Sequence, residues 1–359
     1  MRMKDYPLKE VSKAKHVILQ KYFPAWAKIL GSRYQKLVYV DCFAGVGKYS
    51  DSDLGSPLIV LNESKELSLG KSLQFIFIFV EKDKKNAQIL ENNIFQLGLP
   101  SNIKTFVMNE DAHDFIPNLV KIIPDDVPSF FFIDPYGHPL SIPVINQILK
   151  KKRREVLINL MWYAINMHLE NPRVEQAIDK MFGHNDWKNQ NFMMQSGTER
   201  EINFVDYFTN QINARYNFKF RIRFSPKDRV PGGETRTKYY LIHFANHPRA
   251  ILLMKEVMWP IGDEEGTFDF SASHQGVLFS KTPTVNELKE YLKQNYVNSG
   301  KEISFLDLRI ETYHLPFIEK HYRQAIKELE NEQLILVKRV QSKKTGIDDK
   351  DIVIFKKLL

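Results

Sequence analysis

Cysteine is nearly absent from this chain of 359 residues: Cys42 is the only one. A single thiol excludes a disulfide framework, and without a Cys-x-x-Cys or His-Glu-x-x-His spacing no metal site is expected. No apolar run approaches the roughly twenty residues that would span a bilayer, so no membrane association is expected. Met1-Arg-Met-Lys-Asp5 lacks the apolar core of a signal peptide. Together these absences place the expectation in a reducing cytoplasm. Internal repeats and low-complexity stretches are also missing. What remains is an ordinary globular composition, long enough to bury a large core and to divide into two domains.

Val38-Tyr-Val-Asp41-Cys-Phe43-Ala-Gly45-Val-Gly47 carries the most information. It reads as a buried strand ending in a carboxylate and breaking into a Gly-x-Gly turn, which can bring backbone amides against a small ligand. Gly45 and Gly47 can adopt positive φ and let that ligand approach the main chain. Alone, such a turn is equally a tight strand-to-helix connection that holds nothing. Three more strands end in chemistry at the same expected edge. Phe75–Val80 is a continuous apolar run, as a strand covered on both faces should be, and leads into Glu81-Lys-Asp83. Asp83 is placed to cap a helix with Ala87, Leu90, Ile94 and Leu97 at helical spacing. Ile103–Met108 leads to Asn109-Glu-Asp111-Ala112-His113, and Ser129–Ile133 to Asp134-Pro135-Tyr136-Gly137. Asp41, Glu81, Asp111 and Asp134 therefore end four strands in succession, and in an open α/β sheet such tips line the ligand crevice.

These tips resemble the class I S-adenosylmethionine-dependent methyltransferases. The resemblance implies a Rossmann-like sheet and S-adenosyl-L-methionine as cofactor. Asp41, Phe43, Gly45 and Gly47 would surround its amino-acid part, Glu81 would bind the ribose hydroxyls, and Asp111 with Ala112 would lie near the adenine amine. Asp134-Pro135-Tyr136 resembles the Asp/Asn-Pro-Pro-Tyr/Phe motif of enzymes that methylate exocyclic amines, with one proline missing. The Asp-Pro-Tyr-Gly form is closer to that of some tRNA guanine-amine methyltransferases. These three residues are the candidate catalytic set. An exocyclic amine is a poor nucleophile because its lone pair is delocalised into the ring. Asp134 and the Pro135 carbonyl would accept its hydrogen bonds, proline fixing the turn that aims them, while Tyr136 would stack on an extruded base. Carbon-5 cytosine methylation would need a cysteine near the fourth strand, and none is there. A 2′-hydroxyl methyltransferase would need a lysine-rich tetrad, which the sequence does not place.

A closer resemblance, over roughly residues 10 to 260, is to the bacterial three-Cys-motif partner proteins. It is carried by Lys15–Tyr22 with Trp26, the Asp41–Lys48 turn, Gly55-Ser-Pro57, Phe182-Gly183 with Trp187, and Tyr239–Phe244 before His247-Pro248. Val46 stands where that family usually has proline. The resemblance implies a partner protein carrying a radical-enzyme-like three-cysteine motif, without implying the substrate.

The expected organisation is a methyltransferase-like domain over 1–260, a linker over 261–281, and a second domain over 282–359. In the first, a helix over about Ser12–Ser32 buries Ile18, Tyr22, Trp26 and Ile29 on one face. A helical insertion covers about 165–200, and strands near Phe218–Phe224 and Lys238–Ala245 fit an antiparallel closing pair. In the second, helices over about Thr284–Tyr296, Ser304–Thr312 and Pro316–Glu332 precede strands at Leu334–Val340 and Ile352–Phe355, the outline of a winged helix.

The formal net charge of +8 permits nucleic-acid binding, to DNA or RNA, without requiring it. In the winged helix the third helix would present Lys320, His321, Arg323 and Lys327, and the wing Lys338, Arg339, Lys343, Lys344 and Lys350. Lys320, Arg323, Lys338, Arg339, Lys343 and Lys344 are the candidate nucleic-acid contacts. Such domains also serve as protein-docking modules, and the third helix carries several glutamates. Two further basic clusters are ambiguous. Lys150–Arg154 reads as a solvated helix end or as a phosphate contact, and Arg221, Arg223, Lys227 and Arg229 as a sheet face or a phosphate-contacting edge. Three functions stay open. The first is transfer of a methyl group to an exocyclic base amine. The second is a non-catalytic scaffold or sensor binding nucleic acid and its partner. The third is methylation of a protein or small molecule.

Overall fold

The computed structural model describes residues 10–49, 53–68, 73–135, 137–224, 236–261, 268–270, 283–340 and 346–357. The chain divides into two compact units, Met1–Ala250 and Ile251–Leu359.

The first unit opens with helix α1 (Glu10–Gly31), followed by β1 (Lys36–Asp41), α2 (Ser56–Ser68), β2 (Gln74–Val80), α3 (Lys84–Phe95), β3 (Ile103–Met108), α4 (Ala112–Ile122) and β4 (Ser129–Ile133). Then come α5 (Ile142–Leu149), β5 (Arg154–Leu160), α6 (Trp162–His168), α7 (Pro172–Phe182), α8 (Gly197–Asn210), β6 (Tyr216–Phe224) and β7 (Arg236–Ala245). The seven strands run in the order β3-β2-β1-β4-β5-β7-β6. β1 to β5 are parallel, and β7 is antiparallel to both β5 and β6. This is the Rossmann-like sheet of class I methyltransferases, with β1 beside β4 at the point where the strand order reverses. Ligands in such sheets lie beyond the carboxyl ends of the strands at that point.

The central strands are apolar because helices cover both faces. Every residue of β4 is buried, as are all but the first of β1. Helix α1 lies over one face with Ile18, Leu19, Tyr22, Phe23, Trp26 and Ala27 buried. Ile29, expected on that face, is 53% exposed, in the last turn of the helix. Helix α3 starts where expected, the Asp83 carboxylate accepting the Asn86 N–H at 2.9 Å. The insertion between β5 and β6 consists of α6, α7, two short 3-10 turns and α8. Its Phe182, Trp187, Phe192 and Phe204 join the core beneath α5 and β5.

Helix α9 (Pro248–Met258) spans the boundary, so the second unit begins inside a helix ahead of the expected linker. The second unit continues with β8 (Phe268–Phe270), α10 (Val285–Tyr296), β9 (Glu302–Ser304), α11 (Phe305–Glu311), α12 (Glu319–Asn331), β10 (Ile335–Lys338) and β11 (Ile352–Phe355). Strand β9 was not expected. It adds to β11 to give a three-stranded sheet in the order β10-β11-β9, on which the three helices α10, α11 and α12 close a core containing Leu292, Phe305, Tyr322, Leu329 and Phe355. This is a winged helix.

Candidate functional site

The loop after β1 is shaped by the carboxylates that were expected to bind a ligand. Asp41 is fully buried. One of its oxygens accepts the Phe43 N–H at 3.2 Å and the other the Ser56 hydroxyl at 2.6 Å. Burial raises its pKa to about 7, although both hydrogen bonds act in the opposite direction. At the tip of β2, Glu81 Oε2 accepts the Gly45 N–H at 2.9 Å and Oε1 accepts the Asp83 N–H at 2.8 Å. The glycine turn is thus tied to two strand tips. Gly45 and Gly47 have φ of 64° and 76°. At Gly47 a Cβ would also lie 2.7 Å from Leu90 Cδ1, so a larger residue here is strained and must push Leu90 aside. The Gly47 carbonyl accepts the Gly55 N–H at 2.8 Å, and the Val46 carbonyl accepts the Asn93 side chain at 2.8 Å. These hydrogen bonds brace the turn on both sides.

Asp111 caps α4 through the His113 N–H at 2.9 Å, and its other oxygen pairs with Lys82 at 2.7 Å. Those interactions hold its carboxyl below the usual range, the Lys82 hydrogen bond contributing most. Ala112 is buried as the first residue of α4. Phe43 and His113 face each other edge-on with ring centres 6.1 Å apart, and Asn109 donates to the carbonyls of Glu81 and Lys82 at 3.0 and 2.9 Å. Asp41, Glu81 and Asp111 therefore stand at adjacent tips, with Phe43 between the first and the last.

At the tip of β4 the arrangement is tighter than the sequence suggested. Asp134 Oδ2 pairs with the Lys15 ammonium at 2.5 Å, and Oδ1 accepts the Asn159 amide at 2.6 Å. Burial alone would raise the Asp134 pKa, but Lys15 and Asn159 outweigh it and hold the carboxyl below its ordinary value. Next to Lys15, buried His16 lies 5.8 Å from Tyr49. Burial first, then the Lys15 charge, lower its pKa to about 4, so it is neutral at pH 7. His16 Nδ1 and Asn159 Oδ1 are buried without a hydrogen-bond partner among the described residues. Such atoms usually find one, so a polar ligand fits here. Pro135 is buried and Gly137 exposed; Tyr136 lies outside the described residues. Lys15, His16, Ser56 and Asn159 were not expected at the site. Lys15, His16 and Ser56 do lie in the stretches that carry the resemblance to the three-Cys-motif partner proteins, but that resemblance assigned them no role.

The second unit treats its cations differently. Arg323 donates to Glu319 at 2.5 and 2.7 Å and also to the Ile347 carbonyl. Arg339 forms a two-pronged pair with Glu330 and reaches the Gly346 carbonyl at 3.1 Å. Lys320 lies over the Trp259 ring at 5.6 Å, and Lys338 is exposed on β10. His321, expected to face outward, is buried against Trp259 and Phe317. Helix α12 balances Lys320, Arg323 and Lys327 with Glu319, Glu328 and Glu330. Lys343 and Lys344 lie outside the described residues, as do Lys227 and Arg229. On β6, Lys219 pairs with Asp206 and Arg221 lies 3.8 Å from Glu201, so α8 engages that basic face.

Strand order and acidic tips define the first unit as a methyltransferase-type α/β fold, carried on a chain with a winged helix. The GMT-like wHTH domain family matches residues 263–341. No curated protein matches the chain. Among solved structures, a Legionella pneumophila protein is 14% identical, covering 69% of this chain and 91% of its own, with a TM-score of 0.41. A Klebsiella pneumoniae protein described as an O-methyltransferase is 12% identical over 68% and 93%, with a TM-score of 0.32. The METTL16 methyltransferase domain is 12% identical over 63% and 66%, with a TM-score of 0.33. Among the described residues no cluster of His, Cys, Asp or Glu could hold a metal ion, and no helix is long and apolar enough to cross a membrane.

Proposed function

We propose that the first unit binds S-adenosyl-L-methionine across the tips of β1, β2 and β3 and methylates an exocyclic amine of a nucleic-acid base at the tip of β4. The observation that carries this is the tie between Glu81 and Gly45, which builds a glycine turn and a carboxylate into one cradle. Each Glu81 oxygen accepts one backbone N–H and keeps a lone pair for a ribose hydroxyl. Phe43, His113 and Asp111 would flank the adenine. When bound, the cofactor supplies an electrophilic methyl group. Asp134 is ionised at neutral pH and beside two donors; an acceptor amine would donate to a remaining lone pair or replace Lys15 at Oδ2. The Pro135 carbonyl would take the second amine hydrogen, and Tyr136 would stack on the base. In the second unit, Lys320 and Lys338, with Lys343 and Lys344, would contact phosphates, while Arg323 and Arg339 brace the helix and wing. The resemblance to three-Cys-motif partner proteins supports a partner carrying that motif, in a bacterial cytoplasm. The test is transfer of labelled methyl to pooled DNA, RNA and protein, with and without that partner.

One observation favours a second reading. Both Asp134 oxygens already have donors, so Lys15 occupies part of the acceptor position. In that case the unit would act as a scaffold or sensor that binds cofactor, nucleic acid and partner without transferring the methyl group. Cofactor binding with no transfer to any substrate would select it.

A further inference from the structure

The amino edge of the same sheet, remote from the acidic tips, carries a second polar constellation. Register places Lys36 opposite Gln74, Val38 opposite Ser129, and Ser129 opposite Arg154, so β1, β2, β4 and β5 begin side by side. Helices α1 and α5 end there too, which delivers Arg33 and Tyr34 from one and Lys150, Lys152 and Arg153 from the other. Arg153 Nε donates to the Tyr34 hydroxyl at 2.7 Å, with its guanidinium 5.4 Å from the ring centre. Beside this pair lies a cleft of about 410 Å³ lined by Arg33, Tyr34, Gln35, Lys36, Gln74 and Asp126, among others.

The charge at this edge is unbalanced. Lys151 pairs with Asp125, and buried Arg154 spends its guanidinium on the carbonyls of Val120 and Ile123. Arg33, Lys36, Lys150 and Lys152 are exposed and have no carboxylate partner among the described residues. Against them and Arg153 stands one cleft carboxylate, Asp126. The field extends further along the edge. Burial lowers the His247 pKa, and the charges of Arg249 and Arg33 add to that effect against the pull of Glu155. Complementing a helix dipole accounts for Lys150 and Lys152 at the end of α5. It does not account for Lys36 on a strand, or for Arg153 turned onto a phenol.

We propose that this edge is a binding site for the sugar–phosphate backbone of a nucleic-acid strand. Guanidinium and ammonium groups meet the phosphate oxygens, and the Gln35 and Gln74 amides can pair with a nucleotide's polar edges. A strand of six residues such as β1 separates this edge from the acidic tips by about 20 Å. A nucleotide held here is therefore not the one at Asp134, and the site engages a distal stretch of the chain. The proposal does not depend on methyl transfer.

The test uses the full chain and a fluorescent 20-nucleotide single strand of mixed sequence, with adenosine monophosphate as a second probe. Arg33→Glu with Lys36→Glu should weaken strand binding at least fivefold at moderate salt. It should also flatten the log–log salt slope by about 0.7 for each phosphate no longer neutralised. Arg33→Lys with Lys36→Arg should bind as the wild type does. Melting temperature and cofactor binding, read on the same samples, should not move in either variant, so failure of the methyltransferase reading would remain separable. Strand binding unchanged in the Glu variant would overturn the proposal. So would adenosine monophosphate binding as tightly as the strand, which would make this a free-nucleotide pocket.

Discussion

Lys15 and Asp134 lie 119 residues apart in sequence and form an ion pair of 2.5 Å that joins α1 to the tip of β4. Each side chain is only 13% exposed. Truncating either partner leaves a charge in a poorly solvated place. Lys15→Met should therefore destabilise the first unit by about 3 kcal/mol, the lower end for a broken buried pair. The sign of the pH dependence follows from the depressed Asp134 pKa. The pair stabilises the fold above the unfolded carboxyl value near 4, and this is lost as pH falls through the folded value. Denaturant unfolding should show the gap between wild type and variant closing below about pH 4. A gap that stays constant into acid would assign the loss to packing instead.

Asp41 should behave in the opposite sense. Its pKa of about 7 means the folded chain holds a proton that the unfolded chain releases near pH 4. That contribution is complete below about pH 4 and is lost as pH rises through about 7. Asp41→Asn keeps the shape without the titration, though it rearranges the contacts to Ser56 and Phe43. Relative to wild type it should gain stability between pH 4 and pH 8. Parallel stability curves for the two proteins would contradict this.

The two glycines of the turn should respond unequally. Gly45→Ala carries the cost of a left-handed conformation, about 1–2 kcal/mol. Gly47→Ala adds a Cβ 2.7 Å from Leu90, and overpacking costs a further 1–3 kcal/mol or so. Thermal melts should rank Gly47→Ala below Gly45→Ala. A ranking in reverse order would mean that Leu90 yields readily.

In the winged helix, pairing separates bracing residues from cations that have no carboxylate partner among the described residues. Arg339→Ala leaves Glu330 without its two-pronged partner and should lower the stability of the second unit by about 1 kcal/mol. It should barely change the salt dependence of nucleic-acid binding. Lys320→Ala with Lys338→Ala should instead flatten that slope by about 0.9 per phosphate on duplex DNA. Equal slopes in the Lys variant and the wild type would point to a protein-docking module.

The sheet was legible because its first four strands are rich in apolar residues and each leads into an acid. Phe75–Val80 reads as a doubly covered strand, and Asp83 stands where a helix cap belongs. The glycine turn was equally plain. What the sequence could not show was which donors the acids would meet. Lys15 reaches Asp134 because α1 crosses the sheet, and Asn159 does so because β5 lies beside β4; neither relation leaves a local pattern. Strand β9 has three residues, too few for alternation to register. The Arg323–Glu319 pair was readable in principle, since i,i+4 spacing on a helix brings such residues together. Arg339 with Glu330 was not, because it depends on how the wing folds back on α12.

The most direct measurement is the fate of a labelled methyl group. Wild-type protein with its partner, S-adenosyl-L-methionine carrying a labelled methyl, and pooled DNA, RNA and protein would be incubated together, and the acceptor atom identified by mass spectrometry. The account predicts label on the exocyclic nitrogen of a base, and none when Asp134→Ala replaces the wild type while cofactor affinity is retained. Label on a protein side chain or a ribose oxygen, or undiminished transfer by Asp134→Ala, would contradict it.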